Sequence, residues 1–269
     1  MIQDTRTQKL IGVGVIAILI GFIGWYIARD FSLFSQEEKM TQAEGESIES
    51  LVERGDAEVK EIPVIVDLNT NTITQPELNR TMTMPDRFSP EAVTILEKNI
   101  ATLKTQLQGD KDSFQAWSDL AVQYKIIDDF EGAREIWEYL RIAAKAETQP
   151  LINLGSLYHY ELKEFEKSES AYQEAIKRDG TAVEAYTGLH ELYRYSYKTS
   201  TTLAVDTLKE GIIAVPRNTD IRMVLASYYE KLGKRDEAKT EYEKARTIAT
   251  EEGNTNLVTI INAAIENLK

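Results

Sequence analysis

The side chains in this sequence that could do chemistry are carboxylates, two histidines and a cluster of tyrosines. Asp128 with Asp129, or Asp179, could be imagined as an acid and a base, because paired carboxyls move protons once their environments separate their affinities. Asp128 and Asp129 fall in a turn between two helical patterns, where acids cap and solubilise. No serine–histidine–acid set, phosphate loop or metal-ligand motif accompanies them. There is no cysteine, hence no disulfide framework or thiolate site, and a zinc ion at His159 or His190 would have to be completed mainly by carboxylates. The sequence therefore predicts no catalytic residues, no cofactor and no metal. The run His190 to Tyr197, HELYRYSY, offers a different chemistry, a platform for a peptide or sugar. Forty-four acids against 31 bases give a formal net charge of −13, which repels phosphate backbones and excludes nucleic acid as a partner.

Several elements must position these groups. Residues 1–9 form a short tail, and Leu10 to Ala28, LIGVGVIAILIGFIGWYIA, is uncharged throughout. At ~1.5 Å rise per residue that stretch matches the thickness of a bilayer's hydrocarbon core and predicts a transmembrane helix over 10–28. Trp25 and Tyr26 suit the interface, while Arg6, Lys9 and Arg29 flank the span. Tyr26 stands where a cleavage site wants a small residue, no lipoprotein cysteine exists, and the stretch is apolar all round, so the segment is expected to stay attached. The short tail favours a cytoplasmic N-terminus with the remainder exported. Ala17 and Gly21 form a small-xxx-small pair, one route to a homo-oligomer.

Residues 29–61 read as an acidic flexible stalk: Gln36 to Glu61 holds nine acids, three bases and few large apolar residues. Residues 62–89 change texture, with β-branched IPVIVDLNTNTIT followed by Pro76, Pro85 and Pro90. A lone strand pair is unstable in water, so this extended segment is expected to lie against the helical domain, along a groove. Helical patterning then fills 90–269. Ser89, Pro90 and Glu91 make a helix start, and Val93, Leu96, Ile100, Leu103 and Leu107 mark one face.

Tyr124, Tyr158, Tyr193 and Tyr229 recur at intervals of 34, 35 and 36 residues. Four residues before each stands Leu120, Leu154, Leu189 or Leu225, and next to those come Ala121, Gly155, His190 and Ala226. After each tyrosine follow a turn and a second helix with Ala133, Ser168, Ala204 or Ala238, then bulky Trp137, Tyr172, Leu208 or Tyr242. Small residues let two helix axes approach while bulky neighbours fill the flanks. With Trp117 this pattern resembles the tetratricopeptide repeat, over about Phe114 to Glu252. The last repeat carries YYEKLGKRDEA, in which Gly233 is expected to take the left-handed conformation. One extra residue in the second repeat and two in the third are assigned to loops. His190 and Leu140 replace small residues and predict looser packing. Tyr193 belongs to the repeat core, which weighs against a tyrosine platform.

The resemblance implies an all-α fold: an N-terminal transmembrane helix, then a right-handed α-solenoid of about four helical hairpins with a terminal capping helix near Asn254 to Leu268. It implies an adaptor or scaffold that binds a protein or peptide partner in the concave groove lined by the first helices. Projected onto this chain, the groove positions are Gln115, Ser118, Val122 and Lys125, then Ile152, Ser156 and His159, then Thr187, Glu191 and Arg194, and finally Met223, Ser227 and Glu230. The clamp that holds chaperone C-termini needs lysine and asparagine where Ser118 and Val122 stand, so it is absent. Anchored relatives imply a bacterial cytoplasmic membrane, with the C-terminal domain outside the cytoplasm, in envelope assembly, secretion or maturation. The competing readings are a cytosol-facing receptor or tether and a self-assembling structural protein.

Overall fold

The computed structural model of the chain describes residues 66–67 and 72–268. The predicted span at 10–28 and stalk at 29–61 lie outside the described residues, in the first of two units that divide the chain after Glu61. No helix among the described residues is long and apolar enough to cross a membrane.

The second unit opens with an extended strap. β1 (Val66–Asp67) pairs antiparallel with β2 (Thr72–Ile73), a two-residue ladder that is the one departure from an all-α fold among the described residues. Beyond it, Leu78, Met82, Met84 and Phe88 pack on the core that contains Leu96, Trp117 and Tyr124. Charged side chains fix the strap's path. Arg80 forks onto Asp129 at 2.6 and 2.8 Å, and Arg87 pairs with Asp128 while donating to the Ile126 carbonyl at 2.8 Å. The Lys104 ammonium donates to the Arg80 carbonyl at 3.2 Å.

α1 (Pro90–Gly109) starts where the sequence places it. Ser89 Oγ accepts the Ala92 N–H, Leu96, Ile100 and Leu107 are buried, and Val93 and Leu103 are half-buried. Four hairpins follow: α2 (Phe114–Ile126) with α3 (Phe130–Ala143), α4 (Gln149–Leu157) with α5 (Phe165–Arg178), α6 (Val183–Tyr195) with α7 (Leu203–Ala214), and α8 (Thr219–Lys231) with α9 (Arg235–Glu251). α10 (Thr255–Asn267) packs on α9 and closes the array. Ser113, Asp129, Asn218 and Asn254 cap α2, α3, α8 and α10 by accepting backbone N–H groups that have no partner inside the helix.

The repeat tyrosines also serve through their backbone. In the first and fourth hairpins the carbonyls of Tyr124 and Tyr229 accept the N–H of Asp129 and Lys234 at 2.9 Å, closing the first helix around a left-handed residue, Asp128 or Gly233. Gly233, at φ +71°, takes the predicted conformation without a Cβ penalty. The second hairpin corrects the expectation that a loop absorbs its extra residue. After Leu157 the helix widens into one π-helical turn, Tyr158–Leu162, and the closing bond runs from Glu164 N–H to the Tyr158 carbonyl, one residue longer than in the other two. In the third hairpin the extra residues do lie in the connection between α6 and α7.

Close approach is visible atom by atom around Tyr172. A Cβ added at Gly155 would come within 2.7 Å of that ring, and one added at Gly188 within 2.4 Å. The ring of α5 is thus packed against bare backbone of α4 and of α6. Replacing Gly188 by alanine is expected to destabilise the domain by about 1–3 kcal/mol, outweighing the ~1 kcal/mol that alanine gains as a helix former; thermal unfolding of the variant decides it. Arg80→Ala is expected to cost about 1–2 kcal/mol and to expose the strap to protease before the helices are cut, which timed proteolysis with mass analysis would reveal.

Candidate functional site

The first helices form the inner side of the stack. α4 packs directly on α6 and α6 on α8, whereas the second helices α3 and α5 are bridged by long side chains, with Arg141 on Glu174 at 3.0 Å. Rows that approach closely at one side and are spaced at the other must curve toward the close side. The surface of α4, α6 and α8 is therefore the concave one, and the contact of Lys125 with Ser156 continues it onto α2.

Along it, the residues picked by the repeat register mostly face out between the helices without being fully covered. Ser118, Lys125, Ile152, Ser156, Thr187, Glu191, Arg194, Met223 and Ser227 are half-buried, while Gln115, Val122 and Glu230 are exposed. Cross-helix contacts show that they share one surface: Lys125 Nζ lies 3.4 Å from Ser156 Oγ, joining α2 to α4, and the Tyr160 hydroxyl donates to Glu191, joining the π turn to α6. Arg194 stacks its guanidinium over the rings of Tyr195 at 4.4 Å and Tyr228 at 4.9 Å, joining α6 to α8. The result is a stripe of mixed polarity with three apolar members, Val122, Ile152 and Met223.

His159 is the exception. It is 1% exposed, stacked on Tyr160 with 4.0 Å between centroids, and its Nε2 hydrogen-bonds with Ser196 Oγ at 2.8 Å. The register that puts it on the groove assumes an unbroken α-helix, and the π turn that begins at Tyr158 changes that register. The same turn brings Tyr160, which the sequence pattern does not single out, onto the stripe beside Glu191. Tyr228 is likewise missed, whereas Tyr195 belongs to the run His190 to Tyr197 that the sequence offers as a platform. Within HELYRYSY, Tyr193 is buried as the repeat requires, while Tyr195 is 53% exposed.

His190, the large residue at a small-residue position, is not loosely packed. It is 1% exposed, with Nδ1 at 2.9 Å from the Ala204 carbonyl and its ring edge-on to Tyr228 at 5.0 Å. Leu140 is buried too. Burial lowers the His190 pKa to about 4, opposed by the Ala204 hydrogen bond and reinforced by the positive charges of Arg194 and Lys231.

The acids with catalytic potential have structural occupations. Asp129 Oδ1 accepts the Gly132 N–H at 3.0 Å while the carboxylate holds Arg80, and the hydrogen bond that Arg80 donates to Asp129 is the main reason the Arg80 pKa is raised. Asp128 holds Arg87. Asp179 accepts from the Thr181 hydroxyl and N–H at 2.6 and 2.8 Å, which keeps its carboxyl below the ordinary range. Burial pushes the Tyr124 hydroxyl up to about 12, and the hydroxyl of Tyr158 is raised by burial and by its 2.9 Å bond to Glu138. Tyrosines so placed are packing groups and not acids at neutral pH. On the convex side a cleft of about 610 Å³ opens over α6 between α5 and α7, lined by Ile176, Leu203, Asp206 and Glu210 among others.

Comparison with known proteins places the repeats. The model for the family described as "Tetratricopeptide repeat" matches residues 148–181 and 219–250, the second and fourth hairpins. The chain carries tetratricopeptide repeats. Among solved structures it is similar to MamA, at 20% identity and TM-score 0.47, covering 64% of this chain and 99% of that one. It is similar also to TTC0263, a tetratricopeptide repeat protein of Thermus thermophilus, at 19% identity and TM-score 0.47, covering 64% and 93%. YrrB, described as having an unusual peptide-binding site, is similar at 16% identity and TM-score 0.42, covering 64% and 86%. No curated protein matches the sequence.

The low proton affinity of His190 gives a pH dependence of known sign. Between about pH 6.5 and 4 the unfolded chain binds a proton at this histidine and the folded domain does not, so stability falls as pH drops through that window and levels off below it. At about 1.4 kcal/mol per pKa unit the loss is of the order of 3 kcal/mol. Urea unfolding across the window is expected to show this slope, and His190→Ala to flatten it.

Proposed function

We propose that this protein is an adaptor that holds a segment of a partner protein along the stripe formed by α2, α4, α6 and α8, and performs no chemistry itself. The observation that carries this reading is the continuity of the stripe. Polar and apolar side chains from successive first helices are left half-covered, yet they are tied to one another by the Lys125–Ser156 and Tyr160–Glu191 contacts and by the Arg194 stack on Tyr228. A preformed concave surface with a few apolar anchors among hydrogen-bonding groups suits an extended peptide. The tetratricopeptide repeats of the chain support the same reading.

In this proposal the uncharged stretch 10–28 tethers the adaptor to a membrane, and the acidic residues 29–61 space the repeats from it. The short basic tail keeps the N-terminus in the cytoplasm of a bacterial cell, so the repeats work outside it in envelope assembly, secretion or maturation. Support for the tether is the length and uniform apolarity of that stretch together with the interfacial Trp25 and Tyr26.

Ile152→Glu and Thr187→Glu are expected to reduce partner capture about tenfold or more without a change in helicity. Both residues are half-buried on the stripe, but Ile152 also packs at the edge of the core around Tyr172 and Leu189, so Thr187→Glu is the variant expected to leave melting unchanged. The measurement is proximity crosslinking and pull-down from native membranes, with the anchored protein and each variant side by side. Capture indifferent to both changes would overturn the reading.

A further inference from the structure

Resting on that reading, we infer that Arg194 is the point on the stripe that receives an acidic side chain, Asp or Glu, of the bound peptide. Seven of the ten described arginines are ion-paired with a carboxylate. Of the remaining three, Arg235 is exposed and Arg246 donates to Asn262 at 3.3 Å. Arg194 is half-buried and has no hydrogen-bond acceptor or carboxylate among the described residues, in a chain whose net charge is −13. Its guanidinium nitrogens are not among the buried polar atoms, so they stay open to an incoming acceptor, and the group is held by ring contacts and not by ion pairs.

The holding is specific. The guanidinium carbon lies over the rings of Tyr195 and Tyr228, 4.4 and 4.9 Å from their centroids, which holds it by cation–π contact. Tyr228 is itself positioned, because the buried ring of His190, one helical turn before Arg194, meets it edge-on at 5.0 Å. Glu191, three residues earlier on α6, takes the Tyr160 hydroxyl. These ring contacts leave its N–H fork without an acceptor among the described residues, a shape and charge that a carboxylate matches with two parallel bonds. The apolar neighbours fit residues flanking that acid, with Met223 half-buried on α8 and Tyr195 exposed beside Arg194 at the end of α6.

The test uses the full-length chain in a nonionic detergent and an array of random, C-terminally amidated peptides. Peptides that bind are expected to be enriched in Asp or Glu, and exchanging that acid for its amide is expected to weaken binding about tenfold. Arg194→Gln is expected to lose the same factor and to become indifferent to the exchange. Arg194→Lys, which keeps the charge but not the planar fork, should fall between. Binders that lose affinity with Ile152→Glu but show no acidic preference would overturn the Arg194 inference and leave the groove standing. Binders insensitive to Ile152→Glu would overturn the groove reading itself. The acid-to-amide exchange is made in the peptide against unaltered protein, so it decides the matter even if an Arg194 variant fails to fold.

Discussion

Everything in this domain depends on an aromatic ring pressing against backbone that has no side chain in the way. Tyr172 of α5 does so against Gly155 of α4 and Gly188 of α6. Gly211 of α7 meets Tyr186 of α6 and Ile221 of α8 in the same manner. Such contacts set the distance between helices, and distance sets how far each hairpin is rotated relative to the last. The concave stripe exists because the first helices are brought together this way. Two of the repeat tyrosines also find partners for their hydroxyls on preceding second helices: Tyr158 donates to Glu138 at 2.9 Å and Tyr193 to Glu169 at 2.5 Å. Volume and polarity thus specify one register together, since a ring slid along its neighbour would lose both the bare backbone and the carboxylate.

That coupling explains which parts of the fold could be read in the sequence. The tyrosine period was legible because each tyrosine is buried for the same reason in every hairpin, so the spacing of the residues is the spacing of the packing units. Ser89 and Gly233 were legible because caps and left-handed turns are decided within a few residues. The π turn at Tyr158–Leu162 was not, because a single inserted residue is equally compatible with a longer loop and with a widened helix. Choosing between them depends on whether His159, Tyr160 and Phe165 can stack, which is a tertiary matter. Hence the groove positions before the insertion, Ile152 and Ser156, lie on the surface as projected, and the one after its onset, His159, does not.

The charge pairs of the strap show the second kind of illegibility. Arg80 and Asp129 are 49 residues apart, and nothing local to either indicates the other. Gly132 makes their meeting possible: an added Cβ there would stand 2.8 Å from both the Arg80 Nε and the Asp129 carboxylate. A glycine inside a helix ordinarily weakens it. In the structure it is the opening through which the strap's arginine reaches a carboxylate already committed to capping the helix.

The two ends of the array are closed to different degrees, and this bears on where binding can occur. At the front, α1 and the strap together cover the first hairpin, burying Leu96, Ile100 and Leu107 and bringing Leu78, Met82 and Phe88 onto the same core. At the back, α10 fully buries only Ile261 and, at its last residue boundary, Leu268, leaving Ile260 more than half exposed. In a stack stabilised by nearest-neighbour contacts, opening starts at a terminal interface, and α10 on α9 is the terminal one that no strap covers among the described residues. The stack of Arg194 on Tyr228 is one hairpin inward from that end, and Tyr160, Glu191 and Ser156 lie further in. The stripe is therefore set in the part of the array whose helices are covered on both sides, so that ordering its side chains does not have to be supplied by the partner and more of the contact energy remains available as affinity.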